Sequence, residues 1–521
     1  MSDQQQWVSP ETGRWVLLST ILASSMAFID GTALNVALPQ LQADLNATGP
    51  QLFWITSGYL LTLASLILVG GSLGDIYGRK RVFGAGITLF ALASLACGLS
   101  PTVGLLIIAR LIQGVGGALM VPGSLAIIGA LFGPDTRGKA IGTWSAFSTM
   151  TTILGPLLGG YLAGIGLWRG VFLINIPLAV VALAALILKV PENRDESAAQ
   201  QIDLPGALLA VLGLGGLTVG FNEVSERGLS DPIVLGGFII GVIGLAAFIW
   251  VEAHSDQPMM PLGLFESRTF TGTNLLTLFL YGALYGLSFF LSLNLIQQQG
   301  YTALEAGLAT LPFALALILL SRWAGGMVDR VGARPLLVIG PIVVGIGFLL
   351  MALPGLTKGP SDYWLTFFPG VLIWGIGMGI VVAPLTTAVM GAVSPNRAGV
   401  ASGINNAVAR TAGALAIAIM GAVGVFLFQQ QIAARTAQVE LSPQTAAEVQ
   451  QQALKLGNAS VPESVPDAQK NAVDDALRQS FVNMFRWIAG IAAALAFISA
   501  GLAALFVEPK KATQAALAAN D

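Results

Sequence analysis

The chain has 521 residues, of which only 10% are charged (25 Lys and Arg against 27 Asp and Glu), while 55% are hydrophobic. A soluble domain carries about 25% charged residues, and so thin a supply cannot cover a water-soluble body of this size. Composition therefore excludes a disordered chain, a nucleic-acid-binding protein and a soluble enzyme, and a net charge of −2 points to no charged partner. It predicts instead an all-α polytopic protein of the lipid bilayer, with no cofactor. One cysteine, Cys97, and one histidine, His254, leave neither a disulfide framework nor a metal site.

Residues 1–14 are polar, with Gln4, Gln5 and Gln6 in a row. The apolar run that follows is about twice as long as the core of a signal peptide, which predicts a retained first span. A helix needs roughly 20 apolar residues to cross the hydrocarbon core. On that measure the first six spans are expected at 15–38, 52–73, 82–99, 103–131, 140–163 and 167–188. Two more fall at 204–221 and 233–251. The last six fall at 270–296, 304–328, 336–353, 365–390, 400–428 and 484–507. Between the last two lies the one long polar segment, 429–480. There Ser442-Pro443 reads as a helix start and Gly457 as its stop, with a second short helix over 471–481. Its expected role is a tethering loop, with an external binding site as the alternative.

Basic residues of the short loops set the orientation. One alternating set holds Arg79, Lys80, Arg81, Arg137, Lys139, Lys189, Arg194, Arg268, Arg330, Arg334 and Arg397, whereas the other holds only Arg169, Arg227 and Lys358. The first set is therefore expected on the cytoplasmic side of the cell (inner) membrane. An even number of spans puts both termini there too, in keeping with Arg14, Lys510 and Lys511, and segment 429–480 outside.

The run Gly71-Ser72-Leu73-Gly74-Asp75-Ile76-Tyr77-Gly78-Arg79-Lys80 has a second copy: Gly71, Asp75 and Gly78 correspond to Gly325, Asp329 and Gly332, each 254 positions later. Each copy follows the second span of a six-span group, in the same orientation. That is the mark of a parallel duplication about an axis along the membrane normal. The expected organisation is a six-helix bundle over 1–189, a linker with two inserted spans over 190–265, and a second six-helix bundle over 266–521. Two bundles meeting at a seam suit rocking, which points to transport.

Five motifs add a specific resemblance. They are the Gly71–Lys80 loop; Asp30-Gly31-Thr32 through Asn35 to Pro39 in the first span; Arg110-Leu111-Ile112-Gln113-Gly114 in the fourth; Gly155-Pro156-Leu157-Leu158-Gly159-Gly160 in the fifth; and Trp168-Arg169-Gly170 through Asn175 to Pro177 in the sixth. In this order the chain resembles the major facilitator superfamily, and within it the fourteen-span drug:proton antiporters. Thr151 stands where that family often has an earlier glycine. The resemblance implies a proton-coupled exporter of small amphipathic compounds working by alternating access. Its expected partners are that cargo, protons and a periplasmic adaptor, and the expected unit is a monomer.

Asp30 is the only acid well inside the first span. An ionised carboxylate at a helix centre costs about 2.5–3.5 kcal/mol, which suits a group that loads and releases a proton. The alternative is local: Asp30-Gly31-Thr32 satisfies backbone groups at a helix break. Asp30 and Arg110 each lie roughly 10–14 Å below the outer surface at 1.5 Å per residue, so they can meet; otherwise Arg110 is satisfied by carbonyls and Gln113. At the inner edge Gly71, Asp75, Gly78 and Arg79 read as a gate. The resemblance implies that Asp75 faces the positive N-terminus of a helix from the other bundle. Arg79 would bridge Asp75 to Asp135 and latch the outward-open state; the alternative is orientation alone. In the second copy Ala333 replaces the arginine after the glycine, which leaves Asp329 an incomplete latch.

Gly155, Pro156, Gly159 and Gly160 permit close helix contact and a bend. They read as a leak-proof seam, which the antiporter resemblance implies, or as plain packing. Asn35 and Arg410, the latter near Asn405 and Asn406, are candidate cavity residues. So are Tyr281, Tyr285, Phe289, Phe290, Asn294 and Gln298, with aromatic packing as the alternative. Glu223 and Glu305 lie near span ends and are expected to be solvated. Gly133 to Ala140 nearly matches a P-loop, but Ala140 replaces the metal-holding Ser/Thr and a span precedes it where a strand should be; an ion gradient is the expected energy source. Rival readings are an exporter of an endogenous lipid or metabolite, favoured by the scarcity of acids for a multivalent cationic drug, and a non-transporting receptor or scaffold. An intramembrane enzyme lacks both a metal set and a GxSxG elbow.

Overall fold

The computed structural model describes residues 7–194, 202–394, 397–437 and 439–509, and among these all regular structure is helical. Gln4–Gln6, Lys510 and Lys511 lie outside the described residues. The long helices are α1 (Pro10–Leu45), α2 (Gly49–Tyr77), α3 (Arg79–Leu99), α4 (Val103–Leu131) and α5 (Pro134–Gly164). Next come α6 (Gly170–Lys189), α7 (Leu204–Arg227), α8 (Pro232–His254), α9 (Arg268–Gln298) and α10 (Ala303–Val331). Last are α11 (Ala333–Met351), α12 (Phe368–Gly391), α13 (Ala398–Thr436) and α14 (Asp467–Phe506).

Thirteen of these are long and apolar enough to cross a membrane. The one outside that set is α5, whose first turns carry Thr136, Arg137, Lys139 and Thr143. The expected count of fourteen is thus met for thirteen. Large apolar side chains such as Leu99, Val180, Leu188, Ile243, Leu319 and Leu365 stand exposed. In water such a surface would aggregate; it is the surface of a protein whose solvent is lipid.

Local chemistry sets the helix ends. Ser9 caps α1 by accepting the Thr12 N–H, with Pro10 in the first turn. Thr48 and Gln51 form a reciprocal capping box at α2, as Thr302 and Glu305 do at α10. Glu305 is accordingly half-buried and occupied by its cap, not simply solvated. Gly78 (φ 108°) and Gly332 (φ 81°) take the left-handed region at the turns into α3 and α11, so the repeated glycines perform one backbone task twice.

The packing repeats as well. In the first six helices α1 packs on α4, α5 and α6, α4 on α2 and α3, and α3 on α6. In the last six α9 packs on α12, α13 and α14, α12 on α10 and α11, and α11 on α14. At the inner edge Lys80 donates to the Ile187 carbonyl of α6, and Arg334, 254 positions later, donates to the Ala504 carbonyl of α14. The two groups of six meet along α2 with α13 and α5 with α10. Helices α7 and α8 cross through Gly213, Gly216, Gly237 and Gly241, where any Cβ would strike the facing helix. Of this pair, α7 lies over the α2–α13 seam. Asn222 donates to Ser57 Oγ (3.2 Å), while Trp54 Nε1 donates to Glu223 (3.0 Å). Glu223 is therefore not a solvated acid but a tie between α7 and α2, held also by Arg227 at 2.7 Å.

Two expectations for 429–480 change. The Ser442 cap forms over a helix Pro443–Gln451, but α13 extends to Thr436, and 471–481 is the first part of α14 rather than a separate helix. Nor is the segment a mere tether. Val449, Ala453, Leu456 and Val465 are buried, and Leu456, held at φ 52°, inserts beside Gly49 at the outer end of α2. Truncating a buried leucine to alanine costs about 2–5 kcal/mol. Leu456→Ala is expected to raise hydrogen-exchange rates selectively over 443–466 and at the outer ends of α1 and α2, read by mass spectrometry, without loosening α11 or α12.

Candidate intramembrane charge and transport site

Asp30 and Arg110 meet. Arg110 Nη1 donates to Asp30 Oδ2 at 2.5 Å, and the two residues are 1% and 0% exposed respectively at their side chains. A pair so buried needs hydrogen-bond partners around it, and five helices contribute to the network. From α4, Gln113 Nε2 donates to Asp30 Oδ1 (2.9 Å), while its Oε1 accepts from Arg110 (2.6 Å). From α2, the Ile55 carbonyl accepts from Arg110 Nε, and the Tyr59 ring lies 4.4 Å beneath the guanidinium. From α3, Ser94 Oγ accepts from Gln113; from α6, Asn175 donates to Ser94.

Both alternatives raised for Arg110 therefore hold together: it pairs with Asp30 and it is satisfied by a carbonyl and Gln113. The backbone alternative for Asp30 does not describe the site, since α1 is continuous there and both oxygens of its carboxylate take side-chain donors. Sequence reasoning missed Tyr59, Ser94 and Cys97, whose thiol faces Gln113. The available signal was their polarity within apolar runs. Asn175 had been quoted only as part of a motif.

The antiporter glycines form seams of two kinds. A Cβ on Gly155 would strike Thr32, and one on Gly159 the Ala33 carbonyl, so both press α5 onto α1 just past Asp30. Gly160 instead meets the backbone of Ala303 in α10, and Gly307 of α10 meets the carbonyl of Pro156. The same motif thus packs one group internally and closes the seam between groups.

That seam is sealed at its outer end. Phe53 of α2 lies 5.5 Å from Phe289 and 6.4 Å from Phe290, both buried. Gln297 donates to Gln42 Oε1, Gln42 to the Lys455 carbonyl, and Gln298 to the Gly457 carbonyl. Phe289, Asn294 and Gln298, expected to line a pocket, are buried in this outer seal. The Asn294 side chain lies buried without a hydrogen-bond partner among the described residues, where α9 widens into a π-turn. Tyr281, Tyr285 and Arg410 remain half-buried deeper in the seam, and Arg410 donates to the Tyr285 hydroxyl at 2.8 Å. Asn35 is half-buried on α1.

At the inner edge Arg79 Nε holds Asp75 at 2.8 Å, as expected, and Gly71 faces Pro122 of α4 at ordinary contact distance. Its further partner differs from expectation. Arg79 Nη1 reaches Asn193, and Glu192 caps the Lys80 N–H while its carboxylate fills the space beside Gly78. Asp135 is exposed in the first turn of α5 and forms no ion pair among the described residues. The segment that follows α6, with Asn193 lying 114 positions from Arg79, thus replaces the expected acid. Asp329 lies at the inner end of α10, one turn before Gly332.

Three comparisons bear on this arrangement. The model described as Major Facilitator Superfamily matches residues 20–418. The chain is 34% identical over 409 residues to the multidrug resistance protein Stp of Mycobacterium tuberculosis (strain CDC 1551 / Oshkosh), covering 78% of this chain and 75% of that protein. It is 35% identical over 423 residues to the puromycin resistance protein pur8 of Streptomyces alboniger, covering 80% and 82%. Among solved structures, a bacterial homolog of the human lysosomal transporter Spinster superimposes with a TM-score of 0.63 at 19% identity, covering 95% of this chain and 98% of that one.

Removing one member of a buried pair strands the other, at a cost of about 3–5 kcal/mol. Arg110→Ala is expected to lower the midpoint of thermal unfolding, and the double variant Arg110→Ala with Asp30→Ala to recover part of the loss. Labelling of the single buried thiol, Cys97, by a maleimide dye reports both transitions.

Proposed function

The chain belongs to the Major Facilitator Superfamily, and from that premise we propose that it is a multidrug-efflux transporter that exchanges small amphipathic compounds for protons. The observation that carries this reading is the Asp30–Arg110 pair. It joins the one mid-membrane acid of α1 to a guanidinium inside the first helix group. Stp and pur8, both resistance proteins by name, support export as the direction.

Alternating access follows from the packing. The two groups of six repeat one contact pattern and meet along α2–α13 and α5–α10, which supports bundles over 1–189 and 266–521 with an insert over 190–265. Helix α5 is the fourteenth span: its 31 residues are about 46 Å long at 1.5 Å per residue, more than the hydrocarbon core. The basic loops then face the cytoplasm of the inner membrane, and both termini with them. With Phe53, Phe289 and Gln42 closing the outer end, this state faces inward.

In the proposed cycle, protonation of Asp30 from outside removes its charge and loosens its hold on Arg110. Returning inward, the carboxyl loses its proton and re-forms the pair. Cargo occupies the seam in the opposite phase. Gly155 and Gly159 bring α5 against α1 beside Asp30, and Gly160 brings the same helix against α10. Through α5, a change at the carboxyl reaches the seam.

A susceptibility panel in an efflux-deficient host identifies a transported compound. With that compound, purified protein in liposomes under a pH difference is expected to move protons, read by a lumenal pH dye. Asp30→Asn is expected to cut substrate-driven proton flux more than about tenfold. Equal flux in wild type and variant, or transport that persists once the pH difference and the voltage are both collapsed, would overturn the proton assignment.

A further inference from the structure

The guanidiniums of Arg110 and Arg410 are treated in opposite ways, while a third within the spans, Arg322 of α10, stands exposed. Arg110 is sealed against Asp30, Gln113 and the Ile55 carbonyl. Arg410 is half-buried in α13, its hydrogen bond among the described residues is to the Tyr285 hydroxyl, and no carboxylate pairs with it. Nor can the second helix group supply one at that depth. Helices α9, α11, α12 and α13 contain no acid, α10 carries Glu305 and Asp329 only near its two ends, and α14 carries Asp467, Asp474 and Asp475 only in its first turns.

A cation held within the membrane is costly, and a guanidinium presents five donors in a planar fork. Four of those donors are left for something that is not part of the helix group. Tyr59 is within electrostatic reach of both Arg410 and the Asp30–Arg110 pair, and its ring already stacks on Arg110. Tyr281 borders the same spot.

We propose that Arg410 is the docking point for an acidic group on the cargo, so that the exported compounds are amphipathic anions: an aromatic or aliphatic body with one carboxylate, sulfonate or ionised phenol. The counter-charge that the protein omits beside Arg410 arrives with the substrate. A planar fork suits such an oxyanion in a bidentate geometry. One turn beyond Tyr285 on α9, Phe289 and Phe290 pack on Phe53 and close the seam on that side.

This deepens the exporter reading and rests on it. Tyr59 makes the link. Arg410 and the Asp30–Arg110 pair both lie within electrostatic reach of that ring, so cargo charge and proton occupancy sense each other across the α2–α13 seam.

The test uses equilibrium binding to the full chain in lipid nanodiscs, with empty nanodiscs as background and no gradient. The probes share one aromatic body: 8-anilino-1-naphthalenesulfonate carries a sulfonate, and N-phenyl-1-naphthylamine carries none. The wild type is expected to bind the anion in preference to the neutral amine. Arg410→Gln is expected to weaken the anion roughly ten- to hundredfold, the range of a charge-assisted hydrogen bond, with the amine unchanged. Arg410→Lys, which keeps the charge, is expected to retain most of the preference. Equal binding of the two probes by the wild type, or equal losses for both in Arg410→Gln, would overturn the assignment. A protein that binds the anion through Arg410 yet moves no protons in liposomes upholds the site while overturning proton-coupled export.

Discussion

A carboxylate and a guanidinium, neither touching water, cannot be placed inside a membrane protein unless the surrounding helices are built to receive them. Asp30 and Arg110 impose that demand on the first six helices. Gln113 is spent on both members of the pair, Ser94 and Asn175 hold Gln113, and Ile55 gives up a carbonyl. Five helices are thereby locked in one rotational setting, since a turn of any of them by a single residue would leave a buried polar group unmet. The remaining helix, α5, contributes glycine instead of polarity, pressing backbone to backbone against α1 and, at Gly160, against α10. Rigidity inside the group and a close-fitting seam at its edge therefore meet at one level of the membrane.

The duplication shows what that arrangement is for. Contact pattern, turn glycines and the inner-edge bonds of Lys80 and Arg334 recur between the two groups. The buried ion pair does not. The second group has a cation without an acid, open to the seam, and its aromatic residues at 289 and 290 close the outer end against Phe53. In the proposed cycle, this symmetric scaffold with asymmetric chemistry has one group hold the exchanging proton and the other meet the cargo. The inserted helix α7, tied to α2 by Asn222 and Glu223, braces one side of the same seam.

Much of this was legible in the sequence, and particular residues show why. A charge in a long apolar run is expensive, so Asp30, Arg110 and Arg410 stand out without any structure. Helical rise alone placed the first two at one depth. The Gly71–Lys80 run and its copy at Gly325–Arg334 gave the duplication, and capping chemistry at Ser442 gave a helix start. Phe289, Asn294 and Gln298 were harder. Depth along α9 is set by counting, but whether a residue at that depth lines an open space or a seal depends on which partner stands opposite. Phe53 is more than two hundred positions away.

The sequence by itself determined the solvent of this protein, its helical class, the repeat and its main intramembrane charges, because each follows from composition, from short-range periodicity or from the cost of moving a charge out of water. Tertiary structure alone decided that Arg79 would reach Asn193 rather than Asp135, that Leu456 would insert beside Gly49, and that Tyr59 would stack on Arg110. Those outcomes depend on the tilt and rotation of whole helices and on where a long connection returns. Such quantities are set by packing among distant segments, and they leave no local trace in the order of the residues.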